Sequence, residues 1–168
     1  ALPIYPAQLQ VRLREAGLDW EVVNAGLSGE TSSGALSRLD WLMRSKPDAV
    51  LVATGANDGL RGIEPKITAH NLDAIVTRLE RDRVKVMLAG MKAPPNLGAD
   101  YTQKFEAVFS RVARKHEIPF IPFLLEGVAK VPALNQEDGT HPTAEGYTKV
   151  TDGIFEPVRK WLTDGGSR

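Results

Sequence analysis

The sequence predicts an α/β fold with a central parallel sheet covered by helices on both faces. Two observations carry that expectation. The continuous apolar run "AVLVA" from Ala49 reads as a strand buried on both faces, and "VKVMLAGM" from Val84 as the next buried strand. Between and around them lie segments whose apolar residues recur at helical spacing, and strands alternating with helices of this length belong to parallel sheets.

The elements follow in order. Tyr5, Leu9, Val11, Leu13 and Ala16 outline a first amphipathic helix that ends near Gly17. The β-rich run "WEVVNAG", Trp20 to Gly26, reads as a short strand closing on glycine. Leu36, Leu39, Leu42 and Met43 then share a helical stripe, with Thr31 or one of the serines after it as cap, until Pro47 breaks the chain. The strand from Ala49 to Ala53 comes next, followed by a helix carrying Ile67, Leu72, Ile75, Val76 and Leu79. After the strand Val84–Met91, a helix places Phe105, Val108, Phe109 and Val112 inward, and "IPFIPFL" is a short strand interrupted by Pro122. The final helix runs from about Thr143 to Leu162, with Tyr147, Val150, Ile154, Val158 and Trp161 on one stripe. With no internal repeat, linker or low-complexity tract, one domain over residues 1–168 is expected.

Composition narrows the function classes. A chain of 168 residues with 42% hydrophobic and 25% charged residues can bury a sizeable core, which argues against disorder. Lys+Arg and Asp+Glu balance at 21 each, so no global basic field draws in nucleic acid or an anionic membrane. Cysteine is absent, which removes disulfides, thiolate nucleophiles and Cys-bound zinc. No apolar run approaches the roughly 20 residues of a transmembrane helix, so stable membrane insertion is not expected.

Open α/β sheets bind ligands at the carboxyl ends of their strands, and the informative residues cluster there. "GLSGETSSG" follows the first strand-like run. Gly29 offers a backbone N–H at close range, either as part of an anion site or as a plain turn before a helix cap. Ser28 does not fit the nucleophile elbow, which needs glycine where this chain has Glu30. "TGANDGLRG" follows the second run. Asn57 is a neutral side-chain donor suited to a developing oxyanion, or else a turn residue, while Asp58 is expected to fix its loop. "GMKAPPNLGADY" follows the third run and either connects elements or walls a substrate pocket through Met91, Pro95, Leu97 and Tyr101. "DGTHP" precedes the last helix, and there Asp138 could hold His141 in one tautomer. His70 and His116 fall in helices and are expected to be solvated or packed. A metal at Asp138 and His141 would need further ligands that the neighbouring sequence does not offer, so no metal is expected.

In this order the pieces resemble the SGNH, or GDSL-type, serine hydrolases. "NAGLSGETSSGALSRL", "GANDGLRG" and "APPNLGADY" are similar to the bacterial arylesterase, thioesterase and lysophospholipase branch. The resemblance covers nearly the whole chain. It implies a three-layer α/β/α, flavodoxin-like fold and hydrolysis of carboxylic esters through an acyl-serine intermediate, without metal or organic cofactor. It implies Gly29 and Asn57 as oxyanion donors, His141 as general base and Asp138 as its orienting carboxylate. Aryl esters, short or medium acyl esters, acyl thioesters and lysophospholipids are the implied substrates, and family habit favours a periplasmic or secreted enzyme, with a cytoplasmic one also compatible.

One departure is large. The family's "GDSL"-like block, with its nucleophilic serine and the sheet's first strand, does not occur in this sequence. In the flavodoxin-like order that strand is central, and its absence would open apolar contacts and ladder hydrogen bonds inside the sheet. The expectation is an N-terminally incomplete domain whose first strand and serine come from a fragment outside this numbering. Two other functions compete: an inactive relative that binds an acyl or glycan ligand, and a flavodoxin-like nucleotide-binding protein. The first gives no use for a base together with two oxyanion donors, and the second lacks any P-loop or G-x-G-x-x-G.

Overall fold

The computed structural model describes residues 4–164. Their internal packing divides them into two compact units, one of residues 26–123 and one of residues 4–25 with 124–164.

Residues 26–123 hold the sheet. Strands β1 (Ala49–Val52), β2 (Lys85–Ala89) and β3 (Phe120–Ile121) run parallel in the order β1-β2-β3. Val50 lies opposite Val86 and Leu51 opposite Met87, while Leu88 and Ala89 face Phe120 and Ile121. β2 is central, and Val86 to Ala89 are all buried. Helices α5 (Pro65–Arg81) and α6 (Ala99–Lys115) pack on each other and on β2. Proline at the first position of α5 fits a helix start, because its missing N–H would have had no intrahelical partner. Leu72, Ile75, Val76 and Leu79 of α5 and Phe105, Val108, Phe109 and Val112 of α6 form buried stripes at the expected spacing, whereas Ile67, expected on the α5 stripe, is exposed in its first turn. Each such side chain contributes roughly 1.5–3 kcal/mol on full burial. Phe105 and Phe109 meet edge to face with centroids 5.3 Å apart. His116 caps α6 with its ring packed, Nε2 2.7 Å from Asp73 and Nδ1 2.8 Å from Glu80, both on α5, while His70 is exposed.

Residues 4–25 and 124–164 form a helical unit. α1 (Tyr5–Glu15) packs on the final helix α7 (Ala144–Thr163), burying Leu9 and Leu13 on one side and Val150, Ile154 and Val158 on the other. Arg12 reaches over the Phe155 ring at 4.4 Å and pairs with Asp152 at 2.5 Å.

Four expectations need correction. Trp20 to Gly26 forms no strand, so the described sheet has three strands rather than four. That run satisfies part of its backbone against α1: the Gln10 amide donates to the Trp20 carbonyl at 2.7 Å and accepts from the Val22 N–H at 2.6 Å. The helix expected between Thr31 and Pro47 is broken at Arg38 (φ −103°, ψ 6°) into α2 (Ser32–Ser37) and α3 (Leu39–Leu42), followed by a 3-10 turn. Thr31 is its cap, accepting from the Gly34 N–H at 3.3 Å. The strand in "IPFIPFL" shrinks to two residues because Pro119 and Pro122 have no N–H to give the ladder. A short helix not foreseen, α4 (Ala56–Leu60), occupies "ANDGL".

Candidate active site

The sheet-bearing unit brings two of the expected site residues together. Leu27 to Glu30 make a β-turn closed by the Glu30 N–H on the Leu27 carbonyl at 3.2 Å. Gly29 is its third residue with φ +76°, the left-handed value that a type II turn demands there and glycine supplies without strain. After β1 the chain turns at Gly55, whose φ of +103° suits glycine and where a Cβ would stand 3.1 Å from the Phe109 ring. That turn starts α4 and delivers Asn57, half-buried, with its Nδ2 donating to the Glu30 carbonyl at 3.0 Å. An amide nitrogen carries two protons, so Asn57 can hold the turn and still donate elsewhere.

Asp58 fixes this junction, as expected. It is fully buried and accepts from the Ser32 N–H at 2.8 Å, the Ser32 hydroxyl at 2.5 Å and the Thr68 hydroxyl at 2.8 Å. Asn71 extends the network to Ser32 and Ser33. Such a buried side chain is tolerated because both of its oxygens are met by donors, Ser32 at the start of α2 and Thr68 on α5. Glu30 is anchored in turn by a two-pronged pair with Arg38.

The segment after β2 carries the four residues expected as pocket wall, three on the loop and Tyr101 in the first turn of α6, and they differ. Met91 is buried, whereas Pro95 and Leu97 are exposed at its outer end. The Tyr101 hydroxyl donates to the Ile63 carbonyl at 2.6 Å and its ring stacks on Phe105, so this side chain ties the loop to the chain after α4. Partial burial, with Asp58 nearby, raises the Tyr101 pKa and keeps that donor protonated.

Asp138 and His141 meet in the other unit. The loop between Leu134 and Thr143 is pinched by a bridge pairing Asn135 with Pro142, by the Gln136 N–H on the His141 carbonyl at 2.7 Å, and by the Thr143 N–H on the Leu134 carbonyl at 2.9 Å. Asn135, buried, donates to the Val128 and Val131 carbonyls at 2.7 and 2.9 Å. Inside this frame Asp138 Oδ1 accepts from the Thr140 and His141 N–H groups, both at 2.9 Å, and Oδ2 lies 2.6 Å from His141 Nδ1. The two backbone donors, followed by the imidazole, pull the Asp138 pKa from its ordinary value down to about 2. Asp138 is therefore an acceptor at any physiological pH. Its bond to Nδ1 puts the proton on that nitrogen and leaves Nε2 with the free lone pair of a base. The pair is about half exposed, with side chains 49% and 59% accessible.

A family model described as the GDSL-like lipase/acylhydrolase family matches residues 2–149. The chain belongs to that family. Among its relatives, the esterase TesA of Pseudomonas aeruginosa is 38% identical over 157 residues, covering 93% of this chain and 78% of that protein. The arylesterase of Vibrio mimicus is 33% identical over 159 residues, covering 94% of this chain and 80% of that protein. The crystal structure of the psychrotrophic esterase EstA from Pseudoalteromonas sp., inhibited by monoethylphosphonate, superposes with a TM-score of 0.90 at 32% identity, covering 95% of this chain and 88% of that one. The chain thus has the α/β fold of the SGNH hydrolases.

Proposed function

We propose that this GDSL-like lipase/acylhydrolase is a serine carboxylic ester hydrolase. His141 is its general base, Asp138 orients that base, and Gly29 N–H and Asn57 Nδ2–H donate to the oxyanion. Ester hydrolysis as the reaction class follows from family membership and from relatives named as esterases. The single observation that carries the residue roles is the Asp138–His141 pair: a carboxylate ionised down to about pH 2, bonded at 2.6 Å to the nitrogen whose protonation frees the other as base.

The steps follow from those groups. His141 Nε2 takes the proton of a serine hydroxyl as its oxygen attacks the ester carbonyl. The tetrahedral oxyanion is met by the Gly29 and Asn57 donors, and one such donor is worth about 10²–10³ in kcat. As the carbonyl re-forms, the alkoxide or thiolate leaves with the proton held on His141, and the acyl-serine remains. Water then repeats the sequence, its proton passing to His141 and back to the departing serine. EstA's inhibition by a phosphonate is in keeping with this, because tetrahedral phosphorus with a charged oxygen imitates the intermediate.

The serine is assigned to an N-terminal segment outside residues 1–168, together with a strand pairing the free edge of β1. Support comes from Ser28 lacking the elbow pattern. It comes also from β1, an apolar "AVLV" run that pairs only with β2 among the described residues and is largely half-buried rather than buried. Aryl and short or medium acyl esters are the substrates proposed, with acyl thioesters and lysophospholipids as further acyl donors.

The test is His141→Ala in protein that carries the serine. Turnover of p-nitrophenyl acetate should fall by about three orders of magnitude or more with the fold intact. A loss below tenfold would remove His141 from the mechanism.

A further inference from the structure

We infer that Glu30 and Arg38 are positioning residues for the oxyanion donor Asn57, acting through the Glu30 main-chain carbonyl; this rests on the assignment of Asn57 as a donor. That carbonyl accepts from Asn57 Nδ2 at 3.0 Å. A carbonyl oxygen only accepts, so the bond decides which end of the amide lies on this side. With Nδ2 here, one proton goes to Glu30, and the second is left for the substrate oxygen. Turned by half a revolution, the side chain would set Oδ1 against the Glu30 carbonyl and present an acceptor to the oxyanion. The Glu30 carbonyl therefore holds Asn57 in its donating orientation.

Glu30 is tied on each side of that carbonyl. Its N–H closes the turn on the Leu27 carbonyl at 3.2 Å. Its carboxylate takes Arg38 Nε on one oxygen and Arg38 Nη2, at 2.8 Å, on the other. The nitrogen, the side chain and the carbonyl carbon leave one tetrahedral Cα, so fixing the first two fixes the direction in which the third departs. Rotation about that last bond is restrained from beyond, where Asp58 Oδ1 accepts the Ser32 N–H at 2.8 Å. The Glu30 and Arg38 side chains are only 13% and 20% exposed, so water competes little for their two charge-assisted bonds. Gly34 makes room for the pair, because a Cβ there would stand 2.9 Å from Glu30 Cγ. Arg38 is itself held at the break between α2 and α3, its N–H on the Gly34 carbonyl at 3.3 Å and its carbonyl under the Leu42 N–H at 3.1 Å.

Arg38→Met keeps the aliphatic stem and removes the donors. In protein that carries the serine, kcat for p-nitrophenyl acetate should fall about tenfold, the loss expected of a donor misplaced rather than deleted. KM should stay within about twofold. Arg38→Lys keeps the charge without the two-pronged bond, so kcat should fall by about threefold. The same change is then made beside Asn57→Ala. There the pair has no amide left to orient, and Arg38→Met should alter kcat by less than about twofold. A loss of equal size in both backgrounds places the effect elsewhere and overturns the inference. If Asn57→Ala loses activity and Arg38→Met alone keeps kcat within about twofold, the inference fails and the oxyanion assignment stands. If Asn57→Ala keeps full kcat, the oxyanion assignment itself fails, and the inference with it. A loss confined to KM also overturns the positioning role. Should circular dichroism show Arg38→Met unfolded, Arg38→Lys carries the same cycle, its loss of about threefold expected beside intact Asn57 and absent without it.

Discussion

Asp138→Asn separates the electronic role of this carboxylate from its structural one. The natural residue accepts three hydrogen bonds, two from backbone N–H groups through Oδ1 and one from the imidazole through Oδ2. Asparagine can keep Oδ1 on the two N–H groups at 2.9 Å, which retains the loop, and must then place its amide nitrogen at the position 2.6 Å from Nδ1. An amide nitrogen donates, so Nδ1 becomes an acceptor and the ring proton moves to Nε2, where the base lone pair is needed. In a fully enclosed triad that exchange costs about 10⁴ in kcat. Here the side chains are 49% and 59% exposed, so water can hold the ring in its other tautomer part of the time. The expected loss is therefore smaller, about 10²–10³ in kcat, with KM within about threefold. Stopped-flow or steady-state hydrolysis of p-nitrophenyl acetate reads it, with circular dichroism to check the fold. A loss below tenfold would refute the tautomer argument. Acid stability adds an independent sign. The Asp138 pKa is lowered on folding, to about 2 from the ordinary 3.8, so its contribution is fully present above the unfolded value and is lost as pH falls through the folded one. Asp138→Asn should remove that contribution at neutral pH and flatten the parent's loss of stability between about pH 4 and pH 2.

Asn57→Ala should lower kcat by about 10²–10³ with little change in KM, read by the same hydrolysis assay; a change in KM alone would make Asn57 a ground-state contact. Two glycines of α7 should respond with opposite signs in thermal or urea unfolding. A Cβ at Gly146 would collide with the Leu134 carbonyl, so Gly146→Ala should destabilise by about 1–3 kcal/mol and loosen the loop that carries His141. A Cβ at Gly153 meets nothing within 4 Å, so Gly153→Ala should stabilise by about 0.4–1 kcal/mol. Equal effects at the two positions would contradict the packing of "PAL" on that helix.

Much of this was legible in the sequence because it depends on local pattern. "AVLVA" and, after Lys85, "VMLA" are apolar without alternation, the pattern of strands in a parallel sheet, and both are strands in that sheet, β2 buried and β1 largely half-buried. The stripes of α5, α6 and α7 follow their spacing, and Asp138 and His141 meet because three residues of loop can close an Asx turn. What escaped depends on partners distant in sequence or on backbone torsions. "WEVVNAG" has strand propensity, yet its Trp20 carbonyl and Val22 N–H are taken by the Gln10 amide ten and twelve residues earlier. "ANDGL" carries turn residues, but the left-handed Gly55 launches them as a helix. At the site, Asn57 was readable as a donor at a strand end. Its bond to Glu30, Asp58's to Ser32 and Arg61's to Gly29 span 26 to 32 residues and leave no mark in local composition.

The central claim is acyl-serine hydrolysis by a serine outside residues 1–168, with this chain supplying base, orienting carboxylate and oxyanion donors. Active protein treated with a fluorophosphonate and mapped by peptide mass spectrometry tests it most directly. The account predicts one phosphonylated serine, N-terminal to Ala1, with labelling slowed by at least about a hundredfold in His141→Ala. Phosphonylation of Ser28 or another serine of this chain, or labelling at the parent rate without His141, would contradict it.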